Sequence, residues 1–386
     1  MEKIDVLVLG SGIAAISAAD AARKENPELH VLVCTREKAH PYYRLRVQER
    51  LIEAQKNLEL HEDEWYDLRE INVRYGMEAV GLNTDAKSVS FLNGSVLYYE
   101  KLIIATGSRS FVPPIEGADG REVYTLWTIE DADEIKAHMR AGSKTIVIGG
   151  GLLGLETAHK LYEAGEDVMI LEAMDRLLAR QTDPESSALF QRKLESMGIK
   201  VKLNVSTKSI EDSPAGKLVT LSDNTLIPCH LIIISTGVRA NVEWLTDSGL
   251  DIHKRIIVNG RMETSLPDIY AAGDVATQDG LWFGLWSVSM KQGRVAGINA
   301  AGGDENLNLE TPPYVLNTMG TTLASAGEFT QDEYPYEEIE MDEEAYTYRR
   351  VIYQTEAKDG PILGYILLGP TAAKENAQLY KRLVNN

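Results

Sequence analysis

The sequence predicts an α/β protein: two three-layer domains built to one plan, followed by a small α+β domain. Three observations lead to this. A glycine pattern occurs twice, as Val6-Leu7-Val8-Leu9-Gly10-Ser11-Gly12-Ile13-Ala14-Ala15 and as Ile146-Val147-Ile148-Gly149-Gly150-Gly151-Leu152-Leu153-Gly154, each time after an apolar strand-like run and before a helix-like run. The order of elements after the first copy returns after the second. The chain then changes character near Thr311, where Pro312-Pro313 marks a joint.

Taken in order, the first glycines open a helix expected over 13–24, then a loop with Pro27 and a strand at 30–34. A β-meander begins near residue 77 and turns at Asn93-Gly94, a hairpin dipeptide that tolerates positive φ. It ends in the strand Lys101-Leu102-Ile103-Ile104-Ala105, followed by Thr106-Gly107. The second copy opens a helix over 152–164, stopped by Gly165, and a strand at 167–171. Short strands lead to His230-Leu231-Ile232-Ile233-Ile234-Ser235-Thr236-Gly237. The two fingerprints stand 139 positions apart (149 − 10), and the glycine-to-glycine spans are 97 (107 − 10) and 88 (237 − 149), as in an internal duplication. Beyond Gly237 come Leu266-Pro267-Asp268-Ile269-Tyr270-Ala271-Ala272-Gly273-Asp274 and a helix starting near Ser287 that runs through Gly293 and Gly297. The last 75 residues or so (386 − 311) carry strand-like runs at 346–353 and 362–368 around an acidic stretch.

Composition bounds the function. At 386 residues the chain is too long for one ordinary core, so two or three domains are expected. Its 44% hydrophobic and 25% charged residues are those of a globular protein. A formal charge of −19 argues against nucleic acid as a partner, since phosphate binding needs a basic face. No apolar run approaches the ~20 residues of a membrane span. The first strand, starting about Asp5, leaves no room for a signal peptide. Cys34 and Cys229 read as buried small hydrophobes, too few for a disulfide scaffold. The seven histidines show no ligand spacing, so no metal site is expected. A cytoplasmic protein is the expectation.

The glycine loops carry the chemistry. Gly10 allows a tight turn, Gly12 lets the backbone approach a pyrophosphate, and Ala15, with Ala14 beside it, permits close helix–strand packing. The pyrophosphate rests on the helix N-terminus. Ala105-Thr106-Gly107 ends a buried strand at the same sheet edge. Gly273-Asp274 supplies an acid beside a flexible backbone, suited to a polyol hydroxyl such as those of a flavin's ribityl chain. In the second copy Glu172 ends the next strand, 18 residues after Gly154 (172 − 154). A carboxylate there accepts from a ribose 2′-hydroxyl and repels a 2′-phosphate, which favours NADH over NADPH. Arg176 and Arg180 lie near enough in sequence to keep NADPH open. Two dinucleotides in one chain suggest electron transfer between them.

These residues resemble the two-dinucleotide flavoprotein reductases of the glutathione-reductase superfamily over about residues 4–300. The resemblance implies two Rossmann-like domains, with FAD at the first fingerprint and NAD(P)H at the second, and a hydride passing from nicotinamide to flavin N5. It implies a discontinuous FAD domain (1–110 and 241–311), an NAD(P)H domain (111–240) and a small C-terminal domain (312–386). The cofactor-binding residues it implies are Gly10, Gly12, Ala14, Ala15, Glu37, Arg44, Val80, Ala105, Thr106, Gly107, Gly273, Asp274 and Trp286 for FAD. For the nicotinamide cofactor they are Gly149, Gly151, Gly154, Glu172 and Gly237. Glu156 resembles the family acid near the nicotinamide. Trp286, in Trp286-Ser287-x-x-x-x-Gln292-Gly293, resembles a tryptophan near the flavin–nicotinamide region, where a helix N-terminus stabilises negative charge. Both act by orientation.

What is missing narrows the family. Its disulfide reductases carry cysteine beside the flavin. Here that region reads His40-Pro41-Tyr42-Tyr43-Arg44-Leu45-Arg46-Val47-Gln48-Glu49 and has no thiolate to offer. Electrons must therefore leave for an external acceptor. Tyr42-Tyr43-Arg44 with Arg46 and Glu49 resembles the NADH:rubredoxin reductases of anaerobic bacteria, which implies rubredoxin or a similar small iron protein as acceptor. The alternatives are an NADH oxidase reducing O₂, a ferredoxin- or nitrite-reductase-type electron-transfer component, and a redox-regulated flavoprotein without turnover. In Cys34-Thr35-Arg36-Glu37, where the family often places the acid for the FAD ribose, only Glu37 is acidic and its register is open. The run Glu337-Glu338-Ile339-Glu340-Met341-Asp342-Glu343-Glu344 is expected at a solvated edge or loop. Arg44, Arg46, Lys291, Arg294, Arg349 and Arg350 are candidates for a basic patch facing an acidic partner. Oligomeric state is left open.

Overall fold

A computed structural model describes residues 4–384 except 215 and 332. The chain forms two compact units. One gathers residues 1–47, 56–109 and 238–309, the other 48–55, 110–237 and 310–386.

The first unit is built on a seven-stranded sheet. Asn72–Arg74, Val31–Cys34, Ile4–Leu9, Val96–Ile104 and Ile269–Ala271 run parallel in that order. The strands at the centre are near-continuous Val, Leu and Ile and are buried on both faces, as a helix-covered parallel sheet requires. The expected strand at 101–105 proves to be the second half of the nine-residue strand Val96–Ile104. Its first half alternates between exposed and covered residues and pairs antiparallel with Ser88–Phe91; its last three residues, Leu102, Ile103 and Ile104, are fully buried beside Ile4–Leu9. The change of partner explains why only the second half reads as a core strand. Registers align Leu9 with Cys34 and with Ile104, and Ile104 with Ala271. The residues that follow these four strands therefore emerge along one sheet edge.

Helices Ile13–Glu25 and Trp286–Ala300 pack closely on this sheet. Gly293 and Gly297, one turn apart, make the approach possible. A Cβ on either would collide with the main-chain oxygen of Ala14 or Ala18. Small residues at such a crossing let two helix backbones meet.

The second unit repeats the parallel plan as Lys200–Lys202, Asp167–Leu171, Lys144–Ile148, Leu231–Ile234 and Val123–Tyr124. Ile148 aligns with Leu171 and with Ile234, again bringing the strand ends to one edge. An antiparallel meander, Thr207–Ser213, Gly216–Leu221 and Leu226–Cys229, accompanies it. Also in this unit, Tyr314–Thr318, Thr321–Gly327, Ile362–Gly369, Thr347–Tyr353 and Glu337–Asp342 form an antiparallel sheet covered by helix Ala372–Val384. The acidic run begins as the edge strand of that sheet, where charge discourages further pairing.

A buried ionic knot holds the last sheet to helix Pro184–Met197. Asp183 caps the helix by accepting from the Ser186 amide at 2.9 Å. Its other oxygen accepts from the Tyr348 hydroxyl at 2.6 Å and from Arg350 at 3.1 Å. Asp183 and Arg350 are 4% and 3% exposed, so removing either partner strands a buried charge.

Gly297→Val is expected to lower unfolding free energy by about 2 to 3 kcal/mol through forced separation of the two helices, read as a lower urea midpoint.

Candidate functional site

In each parallel sheet the central strand ends in a glycine that the fold itself requires. Gly10 has φ +116° and Gly149 φ +118°. A Cβ would strike the carbonyl oxygen of Ala105 in the first case and of Ser235 in the second. Gly154 is equally constrained, by the Gly149 oxygen; at the matching position Ala15 is buried.

Gly12 and Gly151 are different. Their φ values, −72° and −85°, suit any residue, and nothing in the protein lies within 4 Å of where a Cβ would stand. No backbone or packing reason for glycine remains. Each is the N-cap of a helix, Ile13–Glu25 or Leu152–Glu163, with no side-chain cap and no acid in the first turn. The first amides of both helices are thus left for an anion, with room for it to approach. This is the fit expected of a dinucleotide pyrophosphate at each loop.

The strand-end residues differ between the two loops. Glu172 accepts from the Gly150 amide at 2.6 Å and from the Met174 amide at 2.7 Å, which holds its carboxylate at the rim of the loop. By strand register its counterpart in the first unit is Thr35, not Glu37. The Thr35 and Ser11 hydroxyls lie 2.9 Å apart and are buried, replacing the Glu172–Gly150 contact. Glu37 stands two residues further on, where it accepts from the Tyr42 hydroxyl at 2.7 Å and from Arg44 at 2.5 Å. Burial alone would lower the Arg44 pKa, but Tyr42 and Glu37 outweigh it and hold the pKa above its usual value. Val80 falls at an irregularity of the ladder, which passes from Ala79–Phe91 to Gly81–Ser90, and its side chain is 44% exposed.

Around the first edge, Ala105 continues the sheet by donating to the Leu9 carbonyl at 2.8 Å. Asn241 then ties down the turn: its side-chain amide donates to the Thr106 carbonyl at 2.8 Å and its backbone amide to Gly107 at 3.0 Å. Gly273 (φ +78°) donates its amide to Gln292 at 3.0 Å. The Asp274 carboxylate receives the Ser108 hydroxyl at 2.8 Å and the Trp282 indole N–H at 3.4 Å. Gly273 and Asp274 face an open pocket whose other wall includes Trp282, Ser289 and Gln292. Trp286 opens the adjoining helix without a side-chain cap and stacks on Tyr43, ring centres 5.5 Å apart. Gly237 (φ +101°) closes the corresponding turn of the second unit, accepting from the Phe111 amide at 2.8 Å. Asn241, Ser108 and Trp282 were not singled out in the sequence, because polar loop residues far apart in the chain show no spacing signal.

Glu156 is half-buried on helix Leu152–Glu163, and no protein donor reaches its carboxylate among the described residues. Burial raises its pKa to about 7, with Lys160 opposing. Both cysteines are buried, and burial pushes the Cys229 thiol up to about 12. No cluster of metal-ligating side chains occurs among the described residues. No helix among them is long and apolar enough to cross a membrane.

The basic patch expected from the sequence is not formed as such. Arg350 is buried and paired with Asp183 and Glu337. Arg349 is held by Glu338 and Glu375, Arg294 by Glu305, and Arg44 by Glu37. In a chain this acidic, most of these arginines find a carboxylate of their own. Lys291 is exposed.

Two sheets of one plan, each ending in an uncapped glycine-lined helix N-terminus, define a two-dinucleotide oxidoreductase. Residues 4–293 match the family of pyridine nucleotide-disulphide oxidoreductases, and the chain belongs to that family. It is 33% identical to the NADH-rubredoxin oxidoreductase of Clostridium acetobutylicum over 331 residues, 85% of this chain and 83% of that protein. It is 30% identical to the assimilatory nitrate reductase electron transfer subunit of Bacillus subtilis over 97% of its own length, but spans only 49% of that relative. The crystal structure of the Clostridium acetobutylicum NADH:rubredoxin oxidoreductase superimposes with a TM-score of 0.83 at 27% identity, covering 100% of this chain and 96% of that one.

Two outcomes follow from this geometry. Gly12→Val should leave the apoprotein within about 1 kcal/mol of wild type yet abolish FAD retention, whereas Gly10→Val should fail to fold stably; absorbance of the purified proteins and their melting curves separate the two. Glu156 has a folded pKa above its unfolded value. Its favourable contribution is therefore complete below the ordinary glutamate range and is lost as pH rises through about 7. Glu156→Gln should stabilise the protein by about 2 kcal/mol above that window, allowing for partial exposure, and by nothing below it, as measured by denaturant midpoints on either side.

Proposed function

We propose that this chain carries electrons from NADH through FAD to a small iron protein of the rubredoxin type, working in the cytoplasm. The reading rests on one observation above all: Gly12 and Gly151 are glycines that nothing in the protein demands, each at an uncapped helix N-terminus. The first unit, through residues 1–110 and 241–311, binds FAD; residues 111–240 bind the nicotinamide cofactor; residues 312–386 form the small C-terminal domain.

FAD, when bound, supplies the ability to take two electrons from a nicotinamide and release them singly. The chain's own residues bind and orient. The amides after Gly12 and Gly151 receive the pyrophosphates, and Asp274 takes a polyol hydroxyl. Glu172, its carboxylate steadied by two amides, takes the ribose 2′-hydroxyl and repels a 2′-phosphate. Trp286 and Tyr43 form a stacked aromatic wall. Glu156, with a pKa near neutrality, presents a carboxyl that is protonated or charged according to pH. With both cysteines buried and none in the 40–49 segment, the electrons go to an external acceptor. The relatives named for rubredoxin and for nitrate reductase both serve such an exchange by name.

The test is anaerobic stopped-flow at the flavin band. Bleaching by NADH, then fast reoxidation by rubredoxin and slow reoxidation by O₂, is the expected result. Fast reoxidation by O₂ with no response to rubredoxin would make the protein an oxidase. Glu172→Ala should raise KM for NADH more than for NADPH; equal effects would remove Glu172 from the ribose.

A further inference from the structure

A cation lies directly behind the acid of the first site. The Arg255 guanidinium carbon stands 3.7 Å from the centre of the Trp282 ring, and Arg255 Nε donates to the Asp274 main-chain carbonyl at 3.0 Å. Trp282 in turn donates its indole N–H to one carboxylate oxygen of Asp274, and Ser108 donates to the other. Asp274 is gripped at both ends, its backbone by Arg255 and its carboxylate by Trp282 and Ser108. Each carboxylate oxygen keeps a lone pair for an incoming hydroxyl.

Trp282 needs such a clamp. It belongs to the stretch 279–285 between strand Ala276–Gln278 and helix Trp286–Ala300, which carries no regular structure beyond a turn and an isolated bridge. Gly284 (φ +63°) folds the chain back over the indole: a Cβ there would stand 2.8 Å from the ring. Among the described residues the indole N–H makes a single hydrogen bond, to Asp274, and at 3.4 Å it is long. Stacking under a half-buried guanidinium supplies the remaining constraint. Burial lowers the Arg255 pKa and Asp274 opposes it, yet an arginine stays charged at ordinary pH.

We infer that Arg255 is a positioning residue of the flavin site: stacked on Trp282 and bound to the Asp274 carbonyl, it presets the carboxylate for a polyol hydroxyl and fixes a positive charge beside the flavin. This rests on the proposed reading of Asp274. A fixed positive charge favours the more negative, reduced form of whatever it neighbours, so it raises the reduction potential.

The experiment compares wild type, Arg255→Gln, Arg255→Lys and Asp274→Asn. It measures the FAD Kd of the apoproteins by fluorescence titration, the flavin midpoint potential by dye equilibration, and apoprotein melting. Arg255→Gln is expected to raise the FAD Kd about tenfold and to move the potential to more negative values with apoprotein melting unchanged. Arg255→Lys should recover the potential but only part of the affinity, because an ammonium lacks the planar face. Wild-type Kd and potential in Arg255→Gln, alongside FAD loss in Asp274→Asn, would overturn the role of Arg255 and leave the proposed function standing. A lower melting temperature with an unmoved potential would reduce Arg255 to a structural role and likewise overturn it. Wild-type protein that takes up no FAD would overturn both.

Discussion

The structure depends on one close approach made twice: Gly10 against the Ala105 carbonyl, and Gly149 against that of Ser235. At each, a central strand ends and turns into a helix with no space for a side chain against the neighbouring strand. Because the strands end in register, this approach decides where the helix N-terminus points and which loops surround it. In the first unit the same edge also receives the turn after Ala271, and so brings in Asp274 from a segment over 160 residues later in sequence (274 − 105 = 169).

A duplicated frame serves two different ligands through what it carries at the second strand's end. In one unit a carboxylate, Glu172, bonds the middle amide of the loop; in the other, two buried hydroxyls, Ser11 and Thr35, meet across the same gap. A carboxylate at the rim selects for a free ribose hydroxyl and against a phosphate. A hydroxyl pair is neutral and makes no such choice, and the nearest acid, Glu37, is occupied with Tyr42 and Arg44. The asymmetry is what the proposed division between FAD and NADH requires.

Charge behaves less simply than its total suggests. A chain at −19 uses several of its arginines internally. Arg350 is spent on Asp183 and Glu337 at the join of a helix and the last sheet, and Arg255 on Trp282 and the Asp274 backbone. Cations that look available in sequence are those most readily drawn to a carboxylate or an aromatic face once the chain folds.

The sequence by itself determined the α/β plan, the duplication and the two glycine loops, because these rest on local periodicity and on a glycine spacing that recurs after an apolar strand. It also determined that the 40–49 segment offers no cysteine. Tertiary structure alone decided which glycines the fold needs and which it leaves open for a ligand, since that depends on carbonyls from strands far away in the chain. It placed Thr35 rather than Glu37 at the strand end, because register is set by pairing across the sheet. It dissolved the apparent basic patch, joined Ser108 and Trp282 to Asp274, and set Arg255 behind them. Contacts between residues so distant in sequence leave no spacing to read.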